Sequence, residues 1–330
     1  MKKIFCLLLV LMMITLAVVS CDTNDEVPFD DVKDTVTTEE VTTEDVTTEE
    51  ATSEEVTTEE ATTEEVTTEE PSTLGTSLRL VSNNIAMFNY GGGGASRLGG
   101  LVAAFEKYDA DIYNLQEVDA GWRTDDMLFG AMERMGYTLI DTTDAPKLYN
   151  CPIFYKTEKF NLIASSNALF NTNNVDVRAY SWVCLEVKET GKRLIVLNTH
   201  LLAKEGETQV AHRLTCAQQL VTIAEKLMKQ YNANGVVLSG DYNCNMSSSA
   251  YGALADAFNS AREVCPSRVN MEYKTSCGFK KAPEVAEGEA IDHVFYSKTG
   301  IDAKHFEAIV EEYSYAYSDH VPVVFDFELN

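Results

Sequence analysis

Eight short apolar runs between Leu78 and Phe327 constrain this chain more than any other feature: Leu78–Asn84, Ile112–Gln116, Ile153–Tyr155, Ser181–Val187, Leu194–Asn198, Val236–Gly240, Ile291–Tyr296 and Val321–Phe327. Their length and apolar character predict β-strands. Helical periodicity occurs over Leu98–Lys107, Asp125–Met135 and Gln209–Tyr231. In the last, Val210, Leu214, Ala217, Leu220, Val221, Ala224, Leu227 and Met228 recur at spacings of three and four and form one apolar face. Strands outnumber helices, some of them joined by hairpins, which predicts two packed sheets with helices outside. With no internal linker, residues 76–330 read as one domain.

The N-terminal part cannot join that core. Between Val36 and Glu70 the unit V/A-T-T-E-E repeats seven times and carries fourteen acids with no lysine or arginine. A period of five matches neither helix nor strand, so no apolar face forms, and like charges keep such a chain extended. Residues 21–75 are therefore expected to be a disordered acidic stalk. Ahead of it, Lys2 and Lys3 followed by the apolar stretch Ile4–Val19 read as an export signal over residues 1–20. Val18-Val19-Ser20-Cys21 resembles a bacterial lipobox, making Cys21 the expected lipidation site. The expected product is an exported lipoprotein, anchored to the bacterial cell membrane with its domain outside the cytoplasm.

Charge narrows the partners. The first twenty residues carry +2 and residues 21–70 carry −19, which leaves −9 of the total −26 for residues 71–330. A protein that grips duplex DNA through many phosphates shows a basic stripe, and no Lys/Arg cluster stands out here. The six cysteines after Cys21 (Cys151, Cys184, Cys216, Cys244, Cys265 and Cys277) permit disulfides in an exported chain, with Cys265–Cys277 the expected pair. Their spacing does not suit metal.

Polar residues at strand ends are the chemically informative signal. Asn84 closes the first run, Glu117 follows Ile112–Gln116, His200 follows Leu197-Asn198-Thr199, Asp241 and Asn243 follow Leu238-Ser239-Gly240, Asp292 sits within Ile291–Tyr296, and Asp319-His320 precedes the last run. Adjacent strand ends bring such groups together. Cleaving a phosphate ester requires shielding of the phosphate charge, an activated water and help for the departing oxygen. A hard divalent cation on carboxylate oxygens does the first. Glu117 is the leading ligand candidate, with Asn84 beside it and Asp319 a third. Asp241 and Asn243 alternate along one strand end, so their side chains start on one face.

These six segments, in this order, resemble the endonuclease/exonuclease/phosphatase family over essentially the whole of residues 78–328, and Arg178-x-x-x-Trp182 ahead of the NTH strand is similar to its small members. The resemblance implies an α/β fold, a four-layer sandwich of two packed mixed β-sheets flanked by helices. It implies an Mg2+- or Mn2+-dependent phosphoesterase in which Asp241 orients or deprotonates water and Asn243 holds the phosphate. It also implies that Asp292 fixes the tautomer of His320, that His200 donates to a phosphate or leaving oxygen, and that Arg178 binds substrate. Which of Asp241 and His320 takes the proton stays open. Some members, abasic-site nucleases among them, place an Asp two residues after the first Asn; Ala86 stands there in this chain.

The remaining features have plainer readings. His212 beside Arg213 is expected to face solvent, His305 to lie on the surface and His293 to pack beneath the site, while Trp122 and Tyr155 are expected in the core. Gly91–Gly94 lack the following Lys-Ser/Thr of a phosphate loop and are expected to form a loop beside the site. Expected partners are a phosphate-ester substrate (nucleic acid, small phosphorylated metabolite or phospholipid) and a membrane through Cys21, with the chain a monomer. The alternative is a catalytically silent binding or adhesin module on a lipid-anchored stalk.

Overall fold

The computed structural model describes residues 75–140, 151–172, 176–279, 287–312 and 316–330. The expected export signal, the expected lipidation site Cys21 and the expected stalk lie outside the described residues.

Thirteen strands form two sheets among the described residues. The first sheet contains β1 (Thr76–Asn84), β2 (Ile112–Gln116), β3 (Tyr137–Ile140), β4 (Ile153–Lys156), β10 (Ser267–Val269), β12 (Ile301–Ala308) and β13 (Val323–Leu329), in the order β10-β12-β13-β1-β2-β4-β3. The second contains β5 (Phe160–Leu169), β6 (Ala179–Val187), β7 (Arg193–His200), β8 (Gly235–Asp241), β9 (Asn259–Ser260) and β11 (Asp292–Tyr296), in the order β5-β6-β7-β8-β11-β9. At the centre of each sheet lies one parallel pair, β1/β2 or β7/β8, with an antiparallel neighbour, β13 or β11, beside it.

The central strands are apolar without alternation because both of their faces are covered. Along β7, Leu194 and Val196 join the core between the sheets, while Ile195 and Leu197 join the core under helix α3 (Glu207–Gln230) and helix α4 (Ser249–Ala257). Along β1, Leu78 and Leu80 face the second sheet, and Val81 packs with Leu101, Phe105 and Trp122 beneath helix α1 (Gly94–Tyr108). Each Leu or Phe taken fully out of water contributes roughly 1.5–3 kcal/mol. The four layers are therefore helix, sheet, sheet, helix, as expected. Trp122 and Tyr155 are both core residues.

Several expectations need correcting. Helix α2 is Leu128–Arg134; Asp125–Met127 precede it as a turn, and the Asp125 carbonyl folds back so closely that a Cβ on Gly130 would lie 1.9 Å from it. His212 and Arg213 are buried rather than solvent-facing, because the Arg213 guanidinium donates to the Leu202 and Lys204 carbonyls and draws that face of α3 inward. His305 is only partly exposed, bonded to Ser267 and Glu307. All six cysteines of the domain are free and buried, so the expected Cys265–Cys277 disulfide is not formed. Cys265 and Cys277 both belong to the core between the sheets.

A layer of polar side chains crosses the interior between the two sheets. Gln116 Nε2 donates to Asn198 Oδ1 at 2.7 Å, Asn114 Nδ2 donates to Ser239 Oγ at 2.8 Å, and Asn198 Nδ2 donates to the Leu115 and Pro152 carbonyls at 2.8 and 2.9 Å. These donors are satisfied, which removes part of the penalty of burial, although the Asn114 and Gln116 side-chain oxygens have no partner among the described residues. They also fix the register of β2 against β7 and β8, which apolar contacts alone leave free to slide.

Candidate active site

Both parallel pairs deliver their carboxyl ends to one place. Asn84 ends β1, Glu117 follows β2, and His200 and Asp241 end β7 and β8 directly opposite each other. Antiparallel β11 begins there with Asp292, paired to Asp241, and His320 sits three residues before β13.

Asn84 bridges the two sheets. Its Nδ2 lies 3.1 Å from Glu117 Oε1 and 3.1 Å from Asp241 Oδ2. The Ala86 amide donates to Asn84 Oδ1 at 3.0 Å, and the Met87 amide donates to Glu117 Oε2 at 3.0 Å. Glu117 and Asn243 hold φ values of 60° and 49°, and Ala86 holds 57°. Positive φ at such residues is uncommon and collects where side-chain placement matters more than backbone comfort.

On the second sheet, Asp241 Oδ1 accepts from the Asn243 amide at 3.0 Å, and Oδ2 lies 3.4 Å from His200 Nε2 and 3.8 Å from His320 Nε2. Asn243 Nδ2 donates to the Leu201 carbonyl at 3.0 Å. His320 Nδ1 is 2.9 Å from Asp292 Oδ2, the pairing the resemblance implied. The charge of Arg178 reaches His200.

Burial raises the Asp241 carboxyl above the usual carboxylate range, and the charge of Asp292 adds to it. Burial alone would lower the His320 imidazole; the charges of Asp292 and Asp241 outweigh it and lift His320 to about 10. Burial lowers His200, leaving a neutral ring able to donate one hydrogen bond. His293 packs beneath the site, is held at about 3 by burial and stays neutral against the Cys244 carbonyl at 2.8 Å.

Two groups of side chains could be read as cation ligands. Atoms of Asp241, Asp292 and His320 lie within 4.8 Å of one another. Within this trio only His320 Nδ1 and Asp292 Oδ2 are at hydrogen-bond distance, 2.9 Å, and Asp292 orients the ring with Nε2 turned toward Asp241. Glu117 and Asp319 suit a hard cation through their carboxylate oxygens, while Asn84 beside them has Oδ1 on the Ala86 amide and Nδ2 turned to Glu117. Burial raises the Asp319 carboxyl, and the negative charge of Glu117 raises it further. Its Oδ1 is buried and, among the described residues, has no hydrogen-bond partner. Two mutually repelling carboxylates and one buried, unsatisfied oxygen are what a divalent cation would relieve.

Several supporting groups escaped the sequence reading. Ser318 Oγ donates to the Asn84 carbonyl at 2.5 Å and accepts from the His320 amide at 3.1 Å, tying β1 to the His320 segment. Thr275 Oγ1 accepts from the Ile291 and Asp292 amides at 3.0 and 3.1 Å. Ser318 stands next to the Asp-His pair and was available as a signal; Thr275 has no motif around it. The Gly91–Gly94 segment forms a turn that leads into α1, with Gly91 packed against Phe279. A separate cleft of about 810 Å³, lined by residues including Asp109, Arg134, Lys156 and Lys188, opens at the other end of β2 and contains none of these groups.

Comparison with known proteins agrees with this fold. Rat nocturnin is 26% identical over 253 residues, covering 68% of this chain and 56% of its own length. The chain spans between a third and 56% of the curated relatives first matched. Among solved structures, an endonuclease/exonuclease/phosphatase family protein from Bacteroides thetaiotaomicron superposes with a TM-score of 0.65 at 21% identity, over 78% of this chain and 96% of that one. A mannosyl-6-phosphatase from the same organism gives 0.63 at 20% identity, over 76% and 99%. The model of the endonuclease/exonuclease/phosphatase family matches residues 84–320, from the amide that ends β1 to the imidazole that precedes β13, and the chain belongs to that family.

Proposed function

We propose that the protein hydrolyses phosphate esters with a divalent cation. The observation that carries this reading is the convergence of Asn84, Glu117, His200, Asp241, Asp292 and His320, drawn from both sheets, into one linked cluster. Glu117, with Asn84 and Asp319 beside it, would hold Mg2+ or Mn2+, whose charge stabilises the phosphate oxygens as negative charge builds on them. Asp241 takes the proton of the attacking water, its Oδ1 fixed by the Asn243 amide. His200 donates from neutral Nε2, and His320, kept charged by Asp292, faces the phosphate oxygens with its Nε2 proton. Asn243 keeps the second hydrogen of its side-chain amide for the phosphate, and Arg178 adds positive charge near His200.

The net charge of −9 on residues 71–330 favours small phosphorylated metabolites over duplex DNA, with phospholipid a third class. The test is hydrolysis by the full chain, with Mg2+, Mn2+ or EDTA, of plasmid DNA, single-stranded DNA, bis-p-nitrophenyl phosphate, p-nitrophenyl phosphate, sugar phosphates and sphingomyelin. Turnover lost in EDTA and restored by either cation is expected. Turnover that persists in EDTA sinks the cation reading, and none on any substrate despite bound cation favours the binding module.

The same proposal places the domain outside the cell membrane, tethered through Cys21, on the strength of the lipobox-like run. Cys21→Ser should move the protein from the membrane to the soluble fraction of expressing cells. An unchanged distribution overturns the anchor.

A further inference from the structure

Arg97, in the first turn of α1, is 2% exposed. Its hydrogen bonds go to backbone oxygens. Nη1 donates to the Ile85 and Tyr317 carbonyls at 2.6 and 2.9 Å, and Nη2 donates to the Met87 and Ala86 carbonyls at 2.7 and 3.3 Å. The guanidinium lies 4.9 Å from the Trp122 ring centre and 5.4 Å from that of Phe279. Trp122 Nε1 also donates to the Ala86 carbonyl, at 2.9 Å.

Two successive peptide planes are gripped at both ends. The plane joining Ile85 to Ala86 gives its carbonyl to Arg97 and its N–H to Asn84 Oδ1; the plane joining Ala86 to Met87 gives its carbonyl to Arg97 and its N–H to Glu117 Oε2. A cation at the carbonyl end of an amide polarises it and makes the N–H a stronger donor. The same guanidinium holds Tyr317, two residues before Asp319. The charges of Asp319, Asp119 and Glu117 all act on it.

We propose that Arg97 is the positioning residue of the cation site, aiming Asn84 and Glu117 through two peptide planes and tying them to the Asp319 segment before any cation arrives. The inference rests on the reading that these three residues hold the cation. A fork that reaches four carbonyls cannot be replaced by a compact ammonium, so Arg97→Lys keeps the charge and loses the geometry.

The experiment compares Mn2+ binding, by calorimetry, with amide hydrogen exchange at Ala86 and Met87 in the metal-free protein. Arg97→Lys should weaken Mn2+ binding about 10–100-fold, the usual effect of removing a partner behind a metal ligand. It should also speed exchange at both amides. Tyr137→Phe is the control. It removes a buried bond of 2.6 Å to the Ala110 carbonyl at the opposite end of β2, and should lower stability without shifting Mn2+ binding. Wild-type Mn2+ affinity and wild-type exchange in Arg97→Lys overturn the proposal. Should that variant fail to fold, Trp122→Phe, which removes the indole donor to Ala86 together with part of the ring under the guanidinium, should weaken Mn2+ binding a few-fold and speed exchange at Met87; no change there overturns it equally. Absence of Mn2+ binding by the wild type sinks the cation reading instead, and the exchange measurement still decides whether Arg97 holds the two planes.

Discussion

Asp241→Asn is expected to lower kcat about 1,000-fold, within the range for loss of a positioned general base, while Mn2+ affinity stays within a few-fold of wild type. Asparagine keeps the shape of the side chain and an oxygen for the Asn243 amide, so the strand end stays in place. It cannot take a proton from water. The substitution also removes one of the three carboxylate charges that lift His320, so that imidazole should titrate below about 10, a shift readable by NMR. A kcat within ten-fold of wild type would exclude Asp241 as the base.

Glu117→Gln should act on the other half of the site. Glutamine still accepts from the Met87 amide, so the left-handed backbone turn at this residue is retained. The loss is one full negative charge facing Asp319. Mn2+ binding should weaken by about 100-fold, and turnover at low cation should fall in proportion. Equal Mn2+ affinity in variant and wild type, by calorimetry, would falsify the assignment of Glu117 as principal ligand. The two substitutions separate cleanly: one removes chemistry at saturating cation, the other removes the cation.

The central strands were legible because burial on both faces makes them continuous apolar runs, and because Asn, Glu, Asp and His interrupt those runs only where strands converge. The β2 run Ile112–Gln116 coincides with its strand. Strands at or next to a sheet edge were not legible. β5 exposes Leu162, Ile163 and Leu169 and carries serines and asparagines between them, so no period survives. β12, Ile301–Ala308, contains a register shift between Ala303 and His305 that breaks its alternation. Helix α4 is short and alanine-rich, and its start depends on Ser248 capping the Ala250 amide. The catalytic candidates were readable as strand ends, but Arg97 was not. A lone arginine followed closely by Gly99 and Gly100 reads as surface, and only the fold shows four backbone carbonyls turned toward it.

The pairing of β1 with β13 joins the beginning of the domain to its end, Thr76 against Leu329. Asn84 and His320 meet through Ser318, across almost the entire domain sequence. A growing polypeptide can stack β7 on β8 early, but it cannot complete the cluster until its final strand has emerged and docked. The nascent domain is therefore without its assembled cluster until β13 has paired with β1, and loss of that strand costs the cluster its closure as well as the sheet its neighbour.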